Sequence, residues 1–279
     1  MAVRVVTDSS ADLPPGLADG LGITVVPCNV VIDDITYKDG VDLSPEEFYR
    51  KLESSPRSPT TAQPSVADFQ LAYQALLEQG HQIVSIHVSG KLSGTLNSAE
   101  RARESFEEST HIEVIDSQLA SLGMGLVVLR AAQLAQQGES YHQVAAQVRS
   151  ALPKTQCILV LDTLEYLQKG GRIGRARAFL GSVLSVKPIL MLRDGEVHPV
   201  ERPRNLDRGV RRLAELAREY SPLQQVGVIY STESERAVDL KRRLSDLIPE
   251  EEIVTSRFGA TLGTYVGPKA VGVALISGS

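Results

Sequence analysis

Residues 87–106 read HVSGKLSGTLNSAERARESF and follow the apolar run QIVSIHV. Gly90 and Gly94 stand among Ser89, Ser93 and Thr95, and a helical pattern begins inside the stretch. A strand, a glycine-bearing turn and a helix in that order present backbone N–H groups that have no intrahelical partner, which suits an anion. The three hydroxyls add donors. A phosphate, a carboxylate and a developing oxyanion all fit such a turn. GKLSGT lacks the Lys-Ser/Thr pair that a P-loop carries after its second glycine, and no G-x-G-x-x-G follows the first strand. GKLSG meets the G-x-S-x-G nucleophile pattern only loosely, because two residues separate Gly90 from Ser93. A hydrolase also needs a histidine base oriented by an acid. His111 opens a strand, His142 lies on an amphipathic helix and His198 lies in a hairpin. None of these three is expected in a turn at the carboxyl end of a parallel strand. Capping of the helix by Ser93 is the plain alternative, and it is compatible with a ligand.

Three further stretches carry polar chemistry. TDSSAD, residues 7–12, also follows a strand; Asp8, Asp12 and the distant Asp116 have no diagnostic metal spacing. Hydrogen bonding to turn amides is the reading that such residues favour, and no metal is expected. TTAQPS places Thr60 and Thr61 in a proline-stiffened connection between two helices. KGGRIGRAR gathers Lys169, Arg172, Arg175 and Arg177, and ERPR adds Arg202 and Arg204. Most of these are solvated helix-end cations. Arg172, flanked by glycines, is placed to reach a phosphate or carboxylate bidentately.

The elements that must position these residues are legible from periodicity. Ala2–Val6 reads as a buried strand, and the prolines and glycines of residues 7–22 end it. ITVVPCNVVIDDITYKDG reads as further strand with Asp33-Asp34 as a turn. Ser44-Pro45-Glu46-Glu47 is a capped helix start, running to about Glu53. SSPRSPTTAQPS is expected to be an extended loop, after which Ser65 caps a helix to about Gln79. A strand at Ile83–Val88 then feeds the Ser/Gly turn and a helix to about Phe106. HIEVID is a strand, followed by two helical patterns to Leu152. Strands separated by helices imply parallel pairing.

Pro153 marks the expected boundary between two α/β domains, residues 1–153 and 154–279. The second begins with the strand QCILVLD. A helix, a glycine-rich turn and another helix follow in TLEYLQKGGRIGRARAFLGSVLSV. A hairpin turning at Asp194-Gly195 comes next, then two helices with QVGVIYS between them. EIVTSRF and AVGVALI close the chain as strands. The expected fold is a mainly parallel sheet in the first domain, a mixed sheet in the second and a ligand cleft between them.

Bulk properties exclude several classes. The chain has 279 residues, 42% hydrophobic and 23% charged, the balance of a globular protein with a real core. A formal net charge of −5 gives no nucleic-acid footprint. No apolar run is long enough to span a bilayer, and the first residues lack the apolar core of a signal peptide. Cys28 and Cys157 match no metal spacing and read as small buried apolar residues, which points to the cytoplasm.

Taken in order, VTDSSADLP, TAQPS, VSGKLSGTLNSA, VIDSQLASLGMG, LDTLEYLQKGGRIGRA, KPIL and VGPKAVGVAL resemble the DegV family of bacterial fatty-acid-binding proteins over almost the whole chain. The resemblance implies a non-enzymatic lipid carrier that needs no cofactor. Its ligand would be a long-chain fatty acid, such as palmitate, stearate or oleate, buried between two α/β domains. By the same resemblance Ser93 and Thr61 hold the carboxylate, with Gly94 and Thr95 of the same turn beside them. A separate ATP-dependent fatty acid kinase would form an acyl-phosphate that enters phospholipid synthesis. Arg172, Arg202 and Arg204 fall on basic positions that would meet the kinase or the acyl-phosphate. Two positions depart from the family pattern. Ala62 stands where a serine is common, and Tyr265 precedes VGPK where the family commonly has a histidine. A tyrosine hydroxyl can donate to a carboxylate, so Tyr265 joins the expected head-group set. The competing readings are an acyl hydrolase or transferase acting through Ser93, and a sensor whose ligand controls a partner.

Overall fold

The computed structural model describes residues 2–180 and 187–278. The first part of the chain runs β1 (Val3–Asp8), α1 (Pro15–Gly20), β2 (Thr24–Val26), β3 (Asn29–Ile32), β4 (Ile35–Lys38), α2 (Pro45–Ser54) and β5 (Thr60–Ala62). It continues through α3 (Val66–Glu78), β6 (Gln82–His87), α4 (Thr95–Glu104), β7 (Ile112–Asp116), α5 (Ser121–Gln136) and α6 (Tyr141–Ala151). After Pro153 come β8 (Thr155–Val160), α7 (Glu165–Lys169), β9 (Ile189–Arg193), β10 (Glu196–Glu201), α8 (Leu206–Arg218) and β11 (Leu223–Tyr230). The chain ends with α9 (Ser234–Arg243), β12 (Val254–Arg257), α10 (Ala260–Val266) and β13 (Val271–Ser277).

Strands β2-β1-β6-β7 form an all-parallel sheet. Strands β10-β9-β8-β13-β11-β12 form a mixed sheet, in which only β11 and β12 run parallel. A small antiparallel sheet, β4-β3-β5, completes the fold. Helix α5 lies between the two large sheets, against β1 and β6 on one side and β8, β11 and β13 on the other. Every residue from Ser121 to Leu129 is buried, which is why its sequence is apolar all round rather than striped. Helices α3 and α4 cover the far face of the parallel sheet, and α8 and α9 cover that of the mixed sheet.

Two expectations need correction. The loop at 54–65 contains β5, which pairs with β3 through Val30 and Thr61. Residues 15–20, read as loop, form the short helix α1, opened by a proline in its first turn. The helix expected after the glycine-rich turn is present over Gly174–Phe179 as a 3₁₀ helix. The rest of that expected helix, residues 181–186, lies outside the described residues. Helix α10, which carries Tyr265, has no counterpart in the sequence reading.

Strands β1 and β6 are adjacent at the centre of the parallel sheet, and the chain leaves them toward opposite edges. That is a topological switch point, where α/β sheets bind ligands beyond the strands' carboxyl ends. Both TDSSAD and the Ser/Gly turn emerge there.

Candidate functional site

A cavity of about 420 Å³ opens at this switch point, within the size range of small-molecule sites. Its walls come from both sheets. Ser93, Gly94 and Thr95 line it from the Ser/Gly turn, Thr61 from β5, Tyr265 from α10 and Arg172 from the glycine-rich turn. The sequence-predicted head-group set is thus brought together in one place. Arg202 and Arg204 lie off this lining; the Arg202 guanidinium sits 4.3 Å from the Phe179 ring centroid.

Ser93 does not cap α4 in the usual position. Gly94 is the N-cap residue, and the Ser93 hydroxyl accepts from Thr95 N at 3.2 Å and pairs with the Thr95 hydroxyl at 2.9 Å. The two hydroxyls therefore stand together at the N-terminus of a ten-residue helix, whose dipole favours negative charge. Thr61 and Tyr265 share a hydrogen bond across the cavity mouth. The backbone spacing leaves no room for error: a Cβ on Gly94 would lie 2.0 Å from Gln63 Oε1, and one on Gly170 would lie 2.4 Å from the Tyr265 ring. Arg172 holds the same corner. Its Nε donates to the Leu92 carbonyl at 3.1 Å, its Nη1 to the Gly170 carbonyl at 2.9 Å, and its guanidinium lies 5.4 Å from the Tyr265 ring centroid.

Much of the remaining lining is apolar. Leu161, Leu190, Leu192 and Phe258 contribute to it, all buried, together with Cys157, while the Cys28 thiol lies against the Thr95 hydroxyl. Burial pushes both thiols up, Cys157 to about 12, so they serve the wall as neutral apolar groups. The donors sit toward solvent: Ser93, Thr61 and Tyr265 are half-buried and Arg172 is exposed. The cavity therefore combines half-buried and exposed donors with a buried lining that is largely apolar, with Ser10, Thr95, Ser121 and Thr261 as its buried polar members. That polarity suits an amphiphile with an anionic head and a long apolar tail.

Sequence reasoning overlooked a polar network directly beneath. Asp8 at the end of β1 accepts from His87 Nδ1 at 3.0 Å if that nitrogen carries the proton, and from Val88 N at 3.2 Å. His87 Nε2 lies 2.7 Å from Ser85 Oγ, which pairs with the Tyr73 hydroxyl at 2.8 Å. Asp8 also takes the backbone and hydroxyl of Ser10, a cavity-lining residue. The alternation Ser85-x-His87 on one strand was the available signal. Two more carboxylates are buried nearby. Asp12 accepts from Gly259 N at 2.9 Å and Ser121 Oγ at 2.8 Å, and Asp39 accepts from the amides of Ala260 and Thr261. Desolvation lifts both carboxyls above the ordinary range, Asp12 well above it. Asp116 accepts from Gln118 N at 2.8 Å. These aspartates thus bind turn amides, and among the described residues no group of His, Cys, Asp and Glu is arranged to hold a metal. The Ser93 hydroxyl is bonded to Thr95 and to no histidine, so this arrangement gives it no base.

Among the described residues, no helix is long and apolar enough to cross a membrane. Comparison with known proteins gives a consistent picture. The chain is 35% identical to a DegV domain-containing protein of Caldanaerobacter subterraneus, over 97% of each chain. It is 32% identical to Protein DegV of Bacillus subtilis, over 98% of each. Among solved structures, it matches a DegV family protein from Thermus thermophilus, described for its fatty acid binding, with 35% identity and a TM-score of 0.92. That match covers 99% of this chain and 100% of the other. DegV of Bacillus subtilis, described as a fatty acid binding protein, matches with 31% identity and a TM-score of 0.88, over 99% and 100%. The profile of a family described as uncharacterised protein, DegV family, matches residues 2–278. The chain belongs to the DegV family.

Proposed function

We propose that this protein carries a long-chain fatty acid, with its carboxylate at Ser93, Thr61, Gly94, Thr95 and Tyr265 and its tail along the apolar wall. The observation that carries the reading is the composition of the cavity: hydroxyls gathered at a helix N-terminus, with Ser93, Thr61 and Tyr265 half-buried, beside a buried lining of leucines. A carboxylate that takes hydroxyl and amide donors beside a helix N-terminus stays charged though partly buried. Each methylene laid against the wall adds ~0.8 kcal/mol, so a long chain supplies ample affinity. The related structures described as fatty acid binding support the same reading. The ligand is held without a metal or covalent link.

In this reading residues 1–153 and 154–279 act as two domains that close on the acid, in the cytoplasm. The protein presents its ligand to a separate ATP-dependent kinase, and the acyl-phosphate feeds phospholipid synthesis. Arg172, at the cavity mouth, and the exposed Arg202 and Arg204 face that partner or the acyl-phosphate. Denaturing extraction of protein expressed in bacteria, with mass spectrometry of the lipid, tests the first step. A stoichiometric long-chain acid is the expected result. If no acid is extracted, and added oleate or palmitate leaves the melting temperature unchanged, the carrier reading fails.

A further inference from the structure

The tip of the β9–β10 hairpin rests on the Ser/Gly turn. Ser89 Oγ donates to the Gly195 carbonyl at 2.9 Å, and Lys91 Nζ donates to the Asp194 carbonyl at 2.8 Å. Ser89 is fully buried and forms the root of the turn. Its carbonyl accepts from Leu92 N at 2.9 Å and Ser93 N at 3.1 Å, and its hydroxyl accepts from Lys91 N at 3.2 Å. The backbone of Ser93 therefore hangs on Ser89, and Ser89 hangs on the hairpin.

Gly195 is required at this contact for two separate reasons. Its φ is +77°, in the left-handed region, and a Cβ there would lie 2.5 Å from Ser89 Oγ. The same hairpin also lines the cavity. Leu190, Met191 and Leu192 of β9 form part of the apolar wall, and Leu192 lies two residues before Asp194. One hydrogen-bonded ribbon thus faces the tail along its strand and the head-group turn at its tip.

We propose that the Asp194–Gly195 turn is a positioning element, acting through Ser89, that couples a tail seated against β9 to the donor geometry of the Ser93 turn. The inference rests on the fatty-acid reading. Its consequence is that carboxylate recognition depends on chain length. A short acid leaves β9 uncovered and gains little from the donors; a long acid seats the strand and gains their full value.

The test compares octanoate, laurate and palmitate with the alcohols of the same lengths in a fluorescent-probe displacement assay. In the wild type the preference for acid over alcohol should grow with chain length. Gly195→Ala, Ser89→Ala and Lys91→Met each remove one part of the contact. Melting curves identify which variants fold, and Ser89→Ala and Lys91→Met leave the main chain unstrained should Gly195→Ala fail to fold. In a folded Ser89→Ala, palmitate should bind roughly ten- to hundredfold more weakly while the matching alcohol loses much less, because bonds from the donors to a charged head are stronger than those to a neutral hydroxyl. A Ser89→Ala variant that keeps the full, length-dependent acid preference overturns the coupling. Equal losses for acid and alcohol overturn it too, since they report a general loss of structure. A wild type that binds neither acid nor alcohol overturns the fatty-acid reading itself.

Discussion

Two serine-centred constellations stand close together on β6 and its turn, and they differ in the opposite way from what their chemistry suggests. Ser85 has a histidine at 2.7 Å, and that histidine has a carboxylate at 3.0 Å, the spacing of a nucleophile, base and orienting acid. Among the described residues, Ser93 has Thr95 on its hydroxyl and no histidine. Yet Ser85, His87 and Asp8 are all fully buried, with Phe69 edge-on to the imidazole at 4.9 Å, while Ser93 lines a cavity. Access separates the two. With no route for a substrate, the triad-like chain ties β1 to β6 at the switch point; with a cavity in front of it, the unactivated serine can hold a ligand.

The sharpest test of that division removes donors from the open constellation. Ser93→Ala combined with Thr61→Val takes two hydroxyls from one carboxylate, each worth ~1.5–3 kcal/mol to a charged acceptor. Fatty-acid affinity should fall by roughly two to four orders of magnitude, measured by displacement of a fluorescent fatty acid, with the melting temperature of the ligand-free protein little changed. Wild-type affinity in the double variant places the head group elsewhere and ends the distinction drawn here.

Next in size is the closed constellation. His87→Ala leaves the Asp8 carboxyl with only backbone and Ser10 donors, leaves Ser85 with the Tyr73 hydroxyl alone, and opens a gap against Phe69. Losing a hydrogen bond to a buried carboxyl costs about 1–3 kcal/mol of stability, and the cavity left by the ring adds to it. Urea denaturation should show that loss, while the refolded fraction still binds the acid. A stable variant that loses binding would move His87 into the ligand site.

Much of this frame was legible before any coordinates. Ser44, Ser65 and the Asp194-Gly195 turn announce themselves locally, through capping boxes and a hairpin dipeptide, and the structure has each in place. The Ser/Gly turn is likewise written in one stretch of chain. What stayed hidden is held by distant partners. Helix α10 is only seven residues long, contains Gly263, a residue with poor helix propensity, lies between Gly259 and Gly267, and no local side chain caps it. Its first amides are satisfied by Asp39, more than two hundred residues earlier, and Gly259 N by Asp12. Strand β5 is three residues long, set between Pro59 and Pro64, and exists only because β3 pairs with it. Thr61 and Tyr265 sit on these two elements, so the family resemblance could point to them while local pattern could not.

Tyr265 offers a smaller effect. Its hydroxyl pairs with Thr61 at the cavity mouth while its ring packs against Gly170 and Arg172. Tyr265→Phe keeps the ring and removes one donor, so fatty-acid binding should weaken about tenfold, the lower end expected for a bond to a charged group. Binding unchanged by titration calorimetry would confine Tyr265 to closing the mouth.

The mildest variant, Asp12→Asn, asks whether the buried carboxylates belong to the structural side of the comparison. Asp12 has φ +49°, a conformation that asparagine also tolerates. An amide can still accept from Gly259 N and can donate to Ser121 Oγ. Burial raises the Asp12 carboxyl well above its ordinary value, Gly259 and Ser121 pull it down, and Asp39 and Asp8 push it up again. A raised value in the fold means that the folded chain keeps a proton the unfolded chain has lost. The stability that Asp12 contributes is therefore complete below the unfolded value, about 3.9, and drains away as pH rises toward the folded value. D12N carries no such proton. Its stability relative to the wild type should increase as pH rises from about 4, by at most ~1.4 kcal/mol per pH unit, then level off above the folded value. Urea denaturation of both proteins across that range measures the difference directly. A flat difference, or one that favours the wild type at higher pH, means that Asp12 is ionised in the fold; its charge, rather than its hydrogen bonds alone, would then be acting beneath the ligand.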